Sequence, residues 1–187
     1  FLLVCSNVSP QAFDDLGRAA EDLRELAERA ARRGLRIGFE ALAWGRHISD
    51  YRVAWDVVKR ADHPALGIVL DSFHILARGH ELETMADIPA EKIAFVQIAD
   101  APLLDMDVLQ WSRHFRCFHG QGRLPLASFM QALARTGYAG PLSLEIFNDA
   151  FRAAPTEATA IDGLRSLIWI EELAEGAAWS EASPPAV

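Results

Sequence analysis

Five short apolar runs, each followed by a stretch with helical periodicity, constrain this chain more than any other feature. The runs are Phe1 to Ser6, RIGFE (Arg36 to Glu40), LGIVLD (Leu66 to Asp71), IAFVQIA (Ile93 to Ala99) and LSLEIF (Leu142 to Phe147). Each has the length and the branched or aromatic content of a strand. After the first, Leu16, Ala19, Ala20, Leu23, Leu26, Ala27 and Ala30 recur at helical spacing, and Gly34 offers a stop. Further helices are expected over about Tyr51 to Ala61, near Phe73 to Arg78, near Leu126 to Thr136 with Gly137 behind it, and near Thr159 to Leu173. Such alternation implies right-handed βαβ units and a parallel sheet.

The sheet could be doubly wound or part of a barrel, and the polar residues argue for the barrel. Strand alternation puts Glu40 with Gly38, Asp71 with Val69 and Gly67, and Glu145 with Ser143, while the bulky residues share the opposite face. Small residues inward and large ones outward suit a strand between a barrel interior and a helix layer. Gln97 fits less well, because Phe95 shares its face. A (β/α)8 TIM barrel closes with eight strands, so residues 1–174 read as its C-terminal portion, with about five of the eight. Residues 175–187, with their Gly, Ala, Ser and Pro, read as a frayed tail or linker. The chain opens inside an apolar run without a Met, so its true start is expected to lie upstream.

Composition narrows the function. With 51% hydrophobic and 24% charged residues the chain has the usage of one globular domain with a core. No apolar run approaches the roughly 20 residues of a membrane span, so no membrane partner is expected. A net charge of -8 disfavours nucleic acid, whose phosphates need a basic surface. Two distant cysteines, Cys5 and Cys117, support neither a disulfide framework nor a zinc finger, and reduced thiols suggest a cytoplasmic location.

The chemistry concentrates where strands end. Glu40, Asp71, Gln97 and Glu145 each lie at or near the end of a successive strand, the end at which TIM barrels carry their catalytic groups. Three carboxylates converging on one mouth repel each other unless a cation joins them. The donors are all oxygen, which favours one divalent metal, Mg²⁺ or Mn²⁺ with Co²⁺ possible, over Zn²⁺. Taken singly, each residue could equally cap a helix or pair with a surface cation. His74, three residues beyond Asp71, has the ordinary pKa range for proton transfer at neutral pH. The long stretch Asp100 to Pro125 contains Arg113, Arg116 and Arg123, any of which could clamp a carboxylate; position favours Arg116 and leaves the other two for solvent. His119, in FHGQG, is a weaker candidate, and the glycines around Gln121 are explained as well by a turn as by a ligand.

The strings GFEAL, LDSFH, FVQIADAP and LSLEIFND resemble the xylose isomerase-like barrel superfamily of sugar epimerases, isomerases and endonuclease IV. Within it they are most similar to the bacterial 3-dehydroshikimate dehydratases, from Phe1 to about Leu173. That resemblance implies Glu40, Asp71, Gln97 and Glu145 as metal ligands, His74 as the catalytic base, Arg116 and His119 at a small carboxylated polyhydroxy substrate, and loss of water to give protocatechuate. The sugar epimerases commonly have His where this chain has Gln97, which separates the dehydratase from its alternative, a sugar or inositol epimerase or isomerase working through an enediolate. Some dehydratases of this type continue into a domain similar to hydroxyphenylpyruvate dioxygenase.

Overall fold

A computed structural model describes the backbone of residues 1–182 and the side chains of residues 1–173. Its frame is a parallel sheet of β1 (Leu2–Cys5), β2 (Ile37–Glu40), β3 (Leu66–Asp71), β4 (Ile93–Ile98) and β5 (Leu142–Leu144), hydrogen-bonded in sequence order. Helices α1 (Leu16–Ala31), α2 (Tyr51–Ala61), α3 (Ser72–Ala77), α4 (Val108–His114), α5 (Leu126–Arg135), α6 (Asp149–Ala153) and α7 (Thr156–Ala182) fall between and after the strands. Sequential order with a crossover at every step is the topology of a partial TIM barrel, as the alternation implied.

One face of the sheet is the core. Ile37, Phe39, Leu66, Ile68, Leu70, Val96 and Ile98 are buried there against Leu23, Ala27 and Ala30 of α1, Val57 and Val58 of α2, and Phe129 and Leu133 of α5. Small residues on α1 and α2 let these helices lie close, and each strand residue so buried contributes about 1.5–3 kcal/mol of transfer free energy. The other face is the barrel interior, where Gly38 and Gly67 leave room. A Cβ on Gly38 would meet Val69 Cγ2 at 2.7 Å, so the narrow interior, not backbone freedom, excludes a side chain here. Phe95, the residue that fitted the inward pattern poorly, packs against Phe1 with the rings tilted and their centroids 5.1 Å apart.

Several elements depart from expectation. β5 ends at Leu144 rather than Phe147, as suits an edge strand paired on one side only, so Glu145 stands just beyond it. The stretch after β4 is not all irregular. Asp107 caps α4 by accepting from Gln110 N, and Trp111 and Ser112 are buried, but seven residues are too few to display a periodicity. The last helix starts at Thr156 and runs to Ala182, into the segment read as a tail. Glu171 to Ala182 is mostly Glu and Ala, strong helix formers, and the first proline of this region comes only at 184. Residues 183–187 of that expected tail lie outside the described residues. Among the described residues no helix is long and apolar enough to cross a membrane.

Candidate metal centre

Register brings the strand-end groups together. Cys5 is level with Glu40, Asp71 with Gln97, and Gln97 with Ser143, while Glu40 is level with Val69, one interior position before Asp71, so the interior groups form a staggered row across the sheet. Glu145 N extends the ladder by donating to Ile98 O at 3.3 Å, which keeps its side chain in that row. Glu40, Asp71, His74 and Gln97 are all buried, with 6% exposure at most.

His74 follows Asp71 into α3, and the local turn fixes both. Asp71 Oδ1 caps α3 by accepting from His74 N at 3.1 Å. The capping role open to any single carboxylate is therefore real for one oxygen of Asp71, while its Oδ2 turns inward. The His74 ring is held on its far side, where Nδ1 accepts from Ala43 N at 3.2 Å. Nε2 points into the site, 3.8 Å from Glu40 Oε1, 3.9 Å from Asp71 Oδ2 and 3.3 Å from the donor Arg116 Nη2; both ring nitrogens thus face a donor, and the neutral ring can accept at only one of them.

Arg116 enters from the segment after α4, which is stitched between two strand ends. Asp100 and Cys117 exchange backbone hydrogen bonds of 3.0 and 2.7 Å, Arg116 N donates to Phe147 O, and Asn148 Nδ2 donates to Arg116 O. The guanidinium is only 1% exposed. Its Nη1 donates to Asp71 Oδ2 and Glu145 Oε2, both at 2.8 Å; Nε and Nη2 reach Ser112 Oγ at 3.1 and 2.9 Å, and Nη2 lies 3.3 Å from His74 Nε2. Gln97 Nε2 completes the cluster by donating to Glu145 Oε1 at 2.7 Å.

These groups titrate against one another. Burial, then the charge of Asp71, pushes the Glu40 carboxyl up to about 8 and that of Glu145 to about 7. Burial also acts to raise Asp71, but Arg116 outweighs it and holds that carboxyl at about 2. Burial lowers His74 to about 4, so the imidazole is neutral at pH 7. Cys5, a neighbour sequence reasoning passed over, stays a thiol because burial and Glu40 push it up to about 12, and its Sγ donates to Glu40 Oε2 at 3.3 Å.

Two buried acceptors, Glu40 Oε1 and Gln97 Oε1, have no hydrogen-bond partner among the described residues. Orphaned oxygens beside mutually repelling carboxylates fit a hard divalent cation. Donor atoms of Glu40, Asp71 and His74 also lie within 4.8 Å of one another, so His74 is a second way to complete a metal triad. A carboxyl with a raised folded pKa keeps a proton that the unfolded chain has lost, so its contribution to stability is present at low pH and lost as pH rises through the folded value. That window runs from the ordinary 4.5 up to about 8 for Glu40 and about 7 for Glu145, while His74, lowered from 6.5 to about 4, acts in the opposite sense below pH 6.5. After chelation the barrel's Tm is thus expected to fall by on the order of 5 °C between pH 6.5 and 8, above the range in which His74 offsets the glutamates. Added Mn²⁺ should restore it at pH 8 but little at pH 5, because ligands bind cations deprotonated. Scanning fluorimetry reads this directly, and a Tm that rises from pH 6.5 to 8 in chelator would contradict the assignment.

The remaining candidates lie apart. His119 is buried, but its Nδ1 bonds Ser166 O of α7 at 3.2 Å rather than any carboxylate of the cluster, and its Nε2 has no partner among the described residues. The FHGQG loop is a turn organised by Asp100, a buried residue sequence reasoning missed. Asp100 Oδ2 accepts from Gly120 N and Gly122 N, and Oδ1 from Ala101 N and Leu124 N. A Cβ on Gly122 would overlap Asp100, so this glycine serves the turn rather than a ligand. His47, His63, His80 and His114 hold loop carbonyls, a loop amide or Asp149, as expected of packing and surface histidines.

Comparison with known proteins accords with this arrangement. The 3-dehydroshikimate dehydratase of Pseudomonas aeruginosa is 61% identical over 171 residues, 91% of this chain and 27% of that protein. An inosose isomerase from Bacillus velezensis is 28% identical over 142 residues, 75% of this chain and 50% of its own length. A solved structure described as a xylose isomerase-like TIM barrel/4-hydroxyphenylpyruvate dioxygenase fusion protein superposes with a TM-score of 0.93 at 56% identity, covering 99% of this chain and 30% of that one. The chain thus spans about a quarter of the dehydratase it matches. Residues 3–173 match the xylose isomerase-like TIM barrel family, and the chain belongs to it.

Proposed function

We propose that this chain carries the catalytic strand ends of a divalent-cation-dependent hydro-lyase that converts 3-dehydroshikimate to protocatechuate. The observation that carries the reading is the row of Glu40, Asp71, Gln97 and Glu145, with two orphaned oxygens, beside a neutral His74. The 61% identity to a dehydratase supports 3-dehydroshikimate as the substrate of that row. Glu40, Asp71, Gln97 and Glu145 would hold the cation, Mg²⁺ or Mn²⁺ on the chemistry of their oxygens. When bound, the cation acts as a Lewis acid on the substrate ketone and makes the adjacent C–H more acidic.

The chain's own groups then handle the proton. His74 presents Nε2 to the site, because Nδ1 is turned to the Ala43 amide. The ring works as a relay: in the tautomer that leaves the Nε2 lone pair free, Nε2 takes the proton lost from carbon and then gives it to the departing hydroxyl. One C–H and one C–O bond break, water leaves, and the ring ends as it began; movement of a second ring C–H proton to the ketone oxygen makes the product aromatic. This refines the simple base expected from sequence. Arg116, with its N–H groups turned onto Asp71, Glu145 and Ser112, orients the carboxylates.

The competing reading is an inosose isomerase-like or sugar epimerase activity, favoured by the 28% identity to such an isomerase. Gln97 in place of the His common in the epimerases favours dehydration. The test is to incubate the full-length protein with 3-dehydroshikimate, with and without Mn²⁺ or Mg²⁺, and to follow the aromatic absorbance of product. A cation-dependent rise is expected. Its absence, alongside isomerisation of inososes by the same folded sample, would transfer the site to the isomerase class.

A further inference from the structure

Arg113 stands over the mouth of this site with its charge uncommitted. Its guanidinium carbon lies 5.2 Å from the centre of the Phe147 ring and 6.0 Å from that of Trp44. Trp44 in turn meets the His74 ring edge-on, with centroids 4.9 Å apart. Phe147 is shared with Arg116, whose guanidinium carbon is 5.5 Å from its centre. The exposed Arg113 is therefore separated from the proton-relay ring by one indole and from the buried arginine by one phenyl.

The two arginines differ in what they have left to offer. A guanidinium has five N–H donors, and those of Arg116 are directed at Asp71, Glu145, Ser112 and the His74 side. Among the described residues Arg113 makes no ion pair and no hydrogen bond. Arg152, the other exposed arginine at Phe147, is paired with Asp149. A guanidinium lying over aromatic rings uses its face for cation–π attraction, which leaves its edge of N–H groups free and held in a restricted orientation. That is the geometry for bidentate capture of a carboxylate.

We propose that Arg113, braced on Trp44 and Phe147, is the specificity-determining residue that binds the carboxylate of the substrate, while Arg116 stays with the strand-end carboxylates. This rests on the dehydratase reading, in which the substrate carries its carboxylate across a six-membered ring from the oxygens that react. It also reverses the expectation that Arg113 merely faces solvent and Arg116 is the clamp.

The test compares protocatechuate with catechol, which lacks only the carboxylate, as ligands of the full-length Mn²⁺-loaded protein, by calorimetry. The wild type should prefer protocatechuate. R113Q should weaken protocatechuate roughly 10- to 100-fold, the worth of a charge-assisted pair, and leave catechol unchanged within about twofold. R113K, which keeps the charge but not the fork, should fall between, and KM for 3-dehydroshikimate should rise in the same order. An R113Q protein that turns over 3-dehydroshikimate and still prefers protocatechuate as the wild type does overturns the clamp alone. Equal weakening of both ligands overturns it too, since a carboxylate contact cannot act on catechol. A wild type with no turnover and no preference sinks the dehydratase reading together with the clamp.

Discussion

Replacing Arg116 with leucine is expected to destabilise the chelated full-length protein by about 3–5 kcal/mol and to abolish turnover. The guanidinium lies 2.8 Å from both Asp71 Oδ2 and Glu145 Oε2, and both it and Asp71 are buried. Removing one partner of such a group leaves the other charge uncompensated in a low-dielectric interior. The effect exceeds anything expected of the surface pairs Arg18–Asp22 or Arg165–Asp162, whose partners are more than half exposed and which contribute about 0–1 kcal/mol each. With domains of this size, the loss amounts to a Tm drop on the order of 10 °C. Mn²⁺ should return part of that stability, because it supplies the positive charge that Arg116 withdrew, but not the turnover. Thermal unfolding of R116L with and without Mn²⁺ measures both quantities, and a Tm within 2 °C of wild type in chelator would mean, on the same scale, that the pair is not buried in solution.

His74→Ala carries the second large effect, and it also decides between two readings of the centre. If His74 relays the proton, turnover should fall by about 10²–10⁴-fold while the affinity for Mn²⁺ stays within a few-fold of wild type. If the triad of Glu40, Asp71 and His74 holds the cation instead, the same substitution should cost metal affinity in proportion to activity. Measuring Mn²⁺ binding by calorimetry beside the rate separates these outcomes. The two roles exclude one another, since a metal and a proton from carbon both need the single Nε2 lone pair. His74→Asn provides a control that retains a polar side chain and cannot carry the proton.

Much of this protein was legible in its sequence, and the reasons are local. Period-2 alternation in RIGFE and LGIVLD had to put Glu40 and Asp71 on the face of Gly38 and Gly67, because a one-residue slip would send Phe39, Ile68 and Leu70 into the interior. The helix expected over Tyr51 to Ala61 has those bounds, and Asp50 caps it by accepting from Arg52 N. Gly34 takes φ +68° just past α1, as a helix stop should. Residues whose role depends on a distant partner were not legible in this way. Asp100 looked like one acid in a loop, yet it gathers four backbone amides from residues up to 24 positions away. Position singled out Arg116 over Arg113, and Arg116 is buried while Arg113 is exposed; that Arg116 meets Asp71 and Glu145 was not legible in the spacing. The five strands, their inward faces and the convergence of three carboxylates were thus determined by the sequence alone, since alternation and strand ends are properties of neighbours along the chain. Which arginine neutralises the carboxylates, which nitrogen of His74 faces them, and which oxygens stay unpartnered were decided only by the tertiary structure, because each depends on distances between residues that the chain itself keeps some 30 to 48 positions apart.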